Sequence, residues 1–169
     1  MTNINNGLAE DIDFNSKKFI NSWQVVNDSV MGGISTSKIA IENNIVSFSG
    51  QLSFENNGGF ASARYVLNKP IIAKDKVSIT FKGDNRHYQL RLRTNTGPGA
   101  IAYKVDFYAT ANNWNSLIFK KSDFIPTYRG ATVDDAPQLN LADVKQISIL
   151  IADKQLPAFQ LDISQIGFL

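Results

Sequence analysis

The sequence predicts an all-β protein, an antiparallel β-sandwich of the jelly-roll kind. Three observations carry that expectation. Apolar residues recur with a period of two in many short runs. Clusters rich in Gly and Asn separate the runs. No helical period is sustained between them, and such short gaps leave no room for parallel crossovers.

The strands follow in order along the chain. Early strands are expected over 38–42, 46–54 and 60–67. Over 77–82, Val77, Ile79 and Phe81 point one way. Tyr88, Leu90 and Leu92 then alternate with Gln89, Arg91 and Arg93, and Tyr103, Val105 and Phe107 alternate with Lys104, Asp106 and Tyr108. A further strand is expected over 116–121. Ile147, Ile149 and Ile151 share one face, as do Phe159, Leu161 and Ile163. Turn signals lie between these runs, among them Gly32-Gly33, Asn56-Asn57-Gly58-Gly59, Gly83-Asp84-Asn85 and Arg129-Gly130. Residues 123–141, with Pro126, Pro137 and Asp134-Asp135, read as a long loop holding at most a short helical turn, and long loops in compact domains are often functional.

Composition narrows the chemistry. A chain of 169 residues, 43% hydrophobic and 19% charged, makes one sandwich domain, 20–169, preceded by an N-terminal arm, 1–19. A net charge of +2 argues against a nucleic-acid partner or a membrane surface. With no Cys there is no thiol nucleophile, thiolate metal site or disulfide. One histidine, His87, excludes any site that needs two imidazoles. No G-x-S-x-G, P-loop or dinucleotide fingerprint is present. Twelve Asp and three Glu show no spacing that marks a glycosidase pair. Asp75, Asp134 and Asp135 lack the spacing of an EF-hand calcium loop. No catalytic residue, metal or cofactor is therefore assigned. No run approaches the roughly 20 apolar residues of a membrane span, and 1–19 lacks the apolar core of a signal peptide. These features read as a cytoplasmic protein without membrane insertion.

Two blocks are unusual. The first is Trp23-Gln24-Val25-Val26-Asn27-Asp28-Ser29-Val30-Met31-Gly32-Gly33-Ile34-Ser35, followed by Phe48-Ser49-Gly50. The second is Glu55-Asn56-Asn57-Gly58-Gly59-Phe60-Ala61-Ser62-Ala63-Arg64. Together with Gly83-Asp84-x-Arg86-x-Tyr88-x-Leu90 and Phe159-x-Leu161-x-Ile163-x-x-Ile166, they resemble the family of the complex I intermediate-associated protein of thirty kilodaltons. The resemblance implies a galactose-binding-like sandwich, the fold of carbohydrate-binding modules. It also implies an assembly factor that works by contact with a respiratory-complex subunit or intermediate, and a bacterial source for an unfused domain of this kind.

Candidate binding residues follow from these blocks and from the strand faces. Asn27, Asp28 and Arg64 are expected to meet, either as an Asp28–Arg64 ion pair that locks two loops or as one polar pocket. Arg91, Arg93, Asp106 and Tyr108 would leave the sheet opposite the apolar side chains. They form either a solvated face of charge pairs or a carbohydrate-binding face in which an aromatic plane stacks on a sugar. Trp23 is expected in the core and Trp114 at a rim. Arg129, beside Tyr128 in the long loop, is a candidate interface residue.

Overall fold

A computed structural model describes residues 10–12, 22–155 and 157–169. It shows two antiparallel sheets packed face to face. The strands are β1 (Glu10–Asp11), β2 (Trp23–Asn27), β3 (Thr36–Glu42), β4 (Ile45–Gln51), β5 (Ala61–Val66), β6 (Lys76–Lys82) and β7 (Arg86–Arg93). They continue with β8 (Ala102–Ala109), β9 (Asn115–Lys120), β10 (Ile125–Tyr128), β11 (Ala131–Thr132), β12 (Gln146–Ile151) and β13 (Ala158–Phe168). The first sheet runs β3-β4-β13-β6-β9, with β1 also on β13; the second runs β11-β10-β8-β7-β12-β5-β2. All-β sandwich architecture is thus what the alternation predicted.

Alternation places the core. Val46 and Phe48 of β4, Val77, Ile79 and Phe81 of β6, and Phe159, Leu161 and Ile163 of β13 are buried from the first sheet. Tyr88, Leu90 and Leu92 of β7, Phe107 of β8 and Ile147, Ile149 and Ile151 of β12 meet them from the second. Phe81 and Phe107 close the gap between sheets, with ring centroids 5.0 Å apart. In β13 the register slips between Ile163 and Gln165. This bulge restores the inward face at Ile166 and Phe168, so the irregular spacing from Ile163 to Ile166 keeps the core continuous.

Three expectations need correction. Residues 23–27 form a strand, β2, whose two adjacent valines at the sheet edge hide the alternation. The strand expected over 46–54 stops at Gln51, and a 3-10 turn follows at Glu55–Asn57. Within 123–141 the chain makes the β10–β11 hairpin, closed by Arg129 and Gly130 with φ of 49° and 84°. Gly tolerates this left-handed backbone readily. The rest of that segment is tied down by the Tyr103 hydroxyl, which donates to the Pro137 carbonyl at 2.7 Å, and by buried Leu139 and Leu141. Of the expected arm, residues 10–12 lie along β13; 1–9 and 13–19 lie outside the described residues.

Candidate functional site

The two motif blocks meet around Asp28, at the start of a 3-10 turn, Asp28–Met31. Asp28 is buried, and its carboxylate is fully engaged. One oxygen accepts the Ser35 amide at 2.9 Å. The other accepts the Ser35 hydroxyl at 2.5 Å, the Gly59 amide at 2.6 Å and the Phe60 amide at 3.3 Å. The Ser35 hydroxyl oxygen in turn accepts the Ser53 amide at 3.0 Å, so both loops share one knot. The glycines leave space for that carboxylate: a Cβ at Gly33 would lie 2.4 Å from the Asp28 carboxyl carbon, and one at Gly58 would lie 2.5 Å from its oxygen. Burial alone would push the Asp28 carboxyl up. The Ser35 hydroxyl and the Gly59, Ser35 and Phe60 amides outweigh it and hold the group below the usual carboxylate value. Asn27 accepts the Ser37 hydroxyl at 2.6 Å.

The expected Asp28–Arg64 ion pair is therefore absent. Asp28 spends its lone pairs on a hydroxyl and three amides, and Arg64 belongs to a different surface. Asn27 and Asp28 do not share a pocket with Arg64; they stiffen a loop pair. That pair presents Val30 and Met31, 70% and 75% exposed, with Ile34 and Phe54 also exposed. Sequence reasoning passed over these four side chains, although apolar residues inside a Gly-rich bend were the available signal.

Arg64 lies on the outer face of the second sheet, where Ala61, Ala63 and Tyr65 of the same strand are buried inward. Register aligns Gln24, Arg64, Ser148, Arg91, Lys104 and Ile125 in one row across β2, β5, β12, β7, β8 and β10. In the adjacent row Val66, Gln146 and Arg93 align. Arg64 and Arg91 thus flank the small side chain of Ser148, and Arg93 stands in the next row beside Gln146. All three arginines are half-buried. Burial lowers the Arg64 pKa. Burial and then Arg64 lower that of Arg93. Burial, Arg93 and Arg64 lower that of Arg91, with Asp106 opposing them. All remain charged at neutral pH.

Further along the same face, the Gln89 side-chain oxygen accepts from the Arg91 Nε at 2.9 Å, and Lys104 pairs with Asp106 at 2.8 Å. Exposed Tyr108 packs against His87, with ring centroids 5.0 Å apart. The other candidates lie elsewhere. Trp114 precedes β9 at the edge of the first sheet, with the Lys82 ammonium 5.4 Å from its ring centroid. Arg129 sits at the hairpin tip, 5.4 Å from the Tyr128 ring centroid. Trp23 is buried and packs on Tyr65 at 5.5 Å.

One buried cation escaped sequence reasoning as a structural element. Arg86 shares the inward face of Tyr88 and Leu90, and period two was the signal that placed it there. Its guanidinium donates to both Asp153 oxygens, at 2.8 and 2.6 Å, and to the carbonyls of Ala158 and Gln155. Among the described residues no cluster of three or more His, Cys, Asp or Glu could hold a metal, and no helix is long and apolar enough to cross a membrane.

The family profile of Complex I intermediate-associated protein 30 matches residues 12–163. The chain belongs to that family. No curated protein matches it. Among solved structures, it is similar to the family 11 carbohydrate-binding module of a cellulosomal cellulase of Clostridium thermocellum. The TM-score is 0.70 at 15% identity, covering 95% of this chain and 94% of the other. A complex of that module with a β-1,3-1,4-mixed-linked tetrasaccharide gives 0.69 at 15%, covering 94% of each chain. An agarase matches at 0.60 and 9% identity, covering 92% of this chain but 24% of the enzyme. These likenesses establish the shared sandwich fold.

Proposed function

We propose that this member of the Complex I intermediate-associated protein 30 family is a non-catalytic binding module. It contacts a protein partner, a subunit or assembly intermediate of respiratory complex I, through the loop pair around Asp28. The observation that carries this reading is a set of exposed apolar side chains, Val30, Met31, Ile34 and Phe54, on a rigid base. Apolar groups fixed in advance lose little conformational entropy on docking, which suits them to a protein interface. The family to which the chain belongs supports the choice of partner.

Native gels of detergent extracts from the source cells test it. The wild-type chain should co-migrate with complex I subunits. The double variant Val30→Asp/Met31→Asp should leave that band and run free, with an unchanged melting curve because both side chains are exposed. A wild-type chain found only in the free fraction would overturn the proposal.

A second reading rests on Tyr108, an exposed aromatic beside Gln89 and Asp106 on the outer face. An aromatic plane among hydrogen-bonding side chains suits a sugar ring. Glycan-array binding that disappears in Tyr108→Ala would favour it over the protein contact.

A further inference from the structure

The outer face of the second sheet holds a charge imbalance that the loop contact does not use. Buried or half-buried cations are ordinarily paired, because desolvation without a counter-charge is costly. Arg86 illustrates the rule with its four hydrogen bonds. Arg64 and Arg93 depart from it. Among the described residues neither guanidinium makes a hydrogen bond or ion pair, and the Arg93 Nε is shielded from solvent without an acceptor. Arg91 gives one bond, to neutral Gln89. The nearest acid along this face, Asp106, is engaged by Lys104.

The geometry is that of a receptor. Arg64 and Arg91 flank Ser148 from the two neighbouring strands, and Arg93 stands two residues from Arg91 on the same strand face. Strand spacing puts the flanking backbones roughly 9–10 Å apart, with Arg93 roughly 7 Å along the strand. Guanidinium stems of this length can close over one small group above Ser148. Guanidinium forks match the paired oxygens of carboxylate and phosphate in a bidentate manner.

We propose that Arg64, Arg91 and Arg93 form a binding site for a compact oxyanion bearing at least two negative charges, seated over Ser148. Phosphoryl groups and clustered carboxylates share this chemistry. A neutral sugar does not, since it leaves three mutually repelling charges uncompensated. The site lies apart from the Val30–Met31 loop pair, so loss of one function leaves the other intact.

Titration calorimetry of the whole chain tests this at low ionic strength with three probes: pyrophosphate, citrate and the neutral mixed-linkage tetrasaccharide. At least one anion should bind saturably at one site, and the tighter of the two identifies the phosphoryl or the carboxylate source. Arg91→Gln and Arg93→Gln should each weaken binding about tenfold or more, the loss of a bidentate charge-assisted pair. Lys38→Gln, on the other sheet, should leave it unchanged. Added potassium chloride should weaken it. At a hundredfold excess over Kd the anion should raise Tm by about 5–10 °C. Absence of heat from both anions at millimolar concentration would overturn the proposal. So would binding that persists in the folded Arg91→Gln/Arg93→Gln variant, or that favours the neutral sugar.

Discussion

Replacing Asp28 with Asn keeps the shape of the side chain and removes one acceptor and the charge. If the new NH2 takes the place of the oxygen facing Ser35, it opposes the Ser35 amide that now donates at 2.9 Å. If it takes the other place, it opposes the amides of Gly59 and Phe60, while the Ser35 hydroxyl can turn and accept. In the better arrangement one buried amide is stranded, at about 1–3 kcal/mol, and the remaining bonds lose their ionic reinforcement. The sum is about 2–4 kcal/mol, or about 5–15 °C in Tm for a chain of this size. The loss should also depend on pH. Because the native carboxyl titrates below its usual value, its contribution is complete above the unfolded-state value of about 4. It disappears as pH falls through the native value. The gap between wild type and Asp28→Asn should therefore be widest near neutrality and narrow toward pH 2. Thermal melts of both proteins across that range make the measurement. A variant melting within about 1 °C of wild type at pH 7 would refute the carboxylate as the knot between the loops. So would a gap that stays constant as pH falls.

Two further outcomes follow from the arginines. Arg86→Met should cost about 3–5 kcal/mol in urea unfolding, because it leaves Asp153 buried without its partner. Arg86→Met/Asp153→Leu should recover part of that loss, as replacement of a whole buried pair often does. Arg64→Gln should behave in the opposite way. With no carboxylate partner and two like charges nearby, it should change stability by less than about 0.5 kcal/mol at physiological salt. At low salt it should be slightly stabilising, which melts at two ionic strengths will show.

The sandwich was legible because a strand buried on one face writes its burial directly into the sequence. β6 and β7 alternate strictly along their length, and β13 does so from Ala158 to Ile163, before its bulge. β2 and the β10–β11 hairpin did not announce themselves. They lie at the two opposite ends of the second sheet, where fewer side chains must face inward. The site was only half legible. Alternation within β7 and β8 put Arg91, Arg93, Asp106 and Tyr108 on one face, as the register shows. It would also have turned Arg64 outward, since Ala61, Ala63 and Tyr65 point in. What no local pattern reveals is that β12 enters between β5 and β7. That long-range pairing brings Arg64 opposite Ser148 and Ser148 opposite Arg91. Adjacency of the motif blocks suggested Asp28 as the partner of Arg64, but hydroxyl and amide donors from the loops satisfied the acid first.

The position of β13 bears on how the protein is made. It comes after every other strand in the chain, yet it lies in the middle of the first sheet and joins β4 on one side to β6 on the other. On the ribosome, the β3–β4 and β6–β9 pairs emerge as separate fragments, each with its inner edge open for a strand synthesised many residues later. Two such templates with apolar faces are vulnerable to pairing with other nascent chains. Folding rates should be low for the same reason, because loop closure must precede the contacts that reward it.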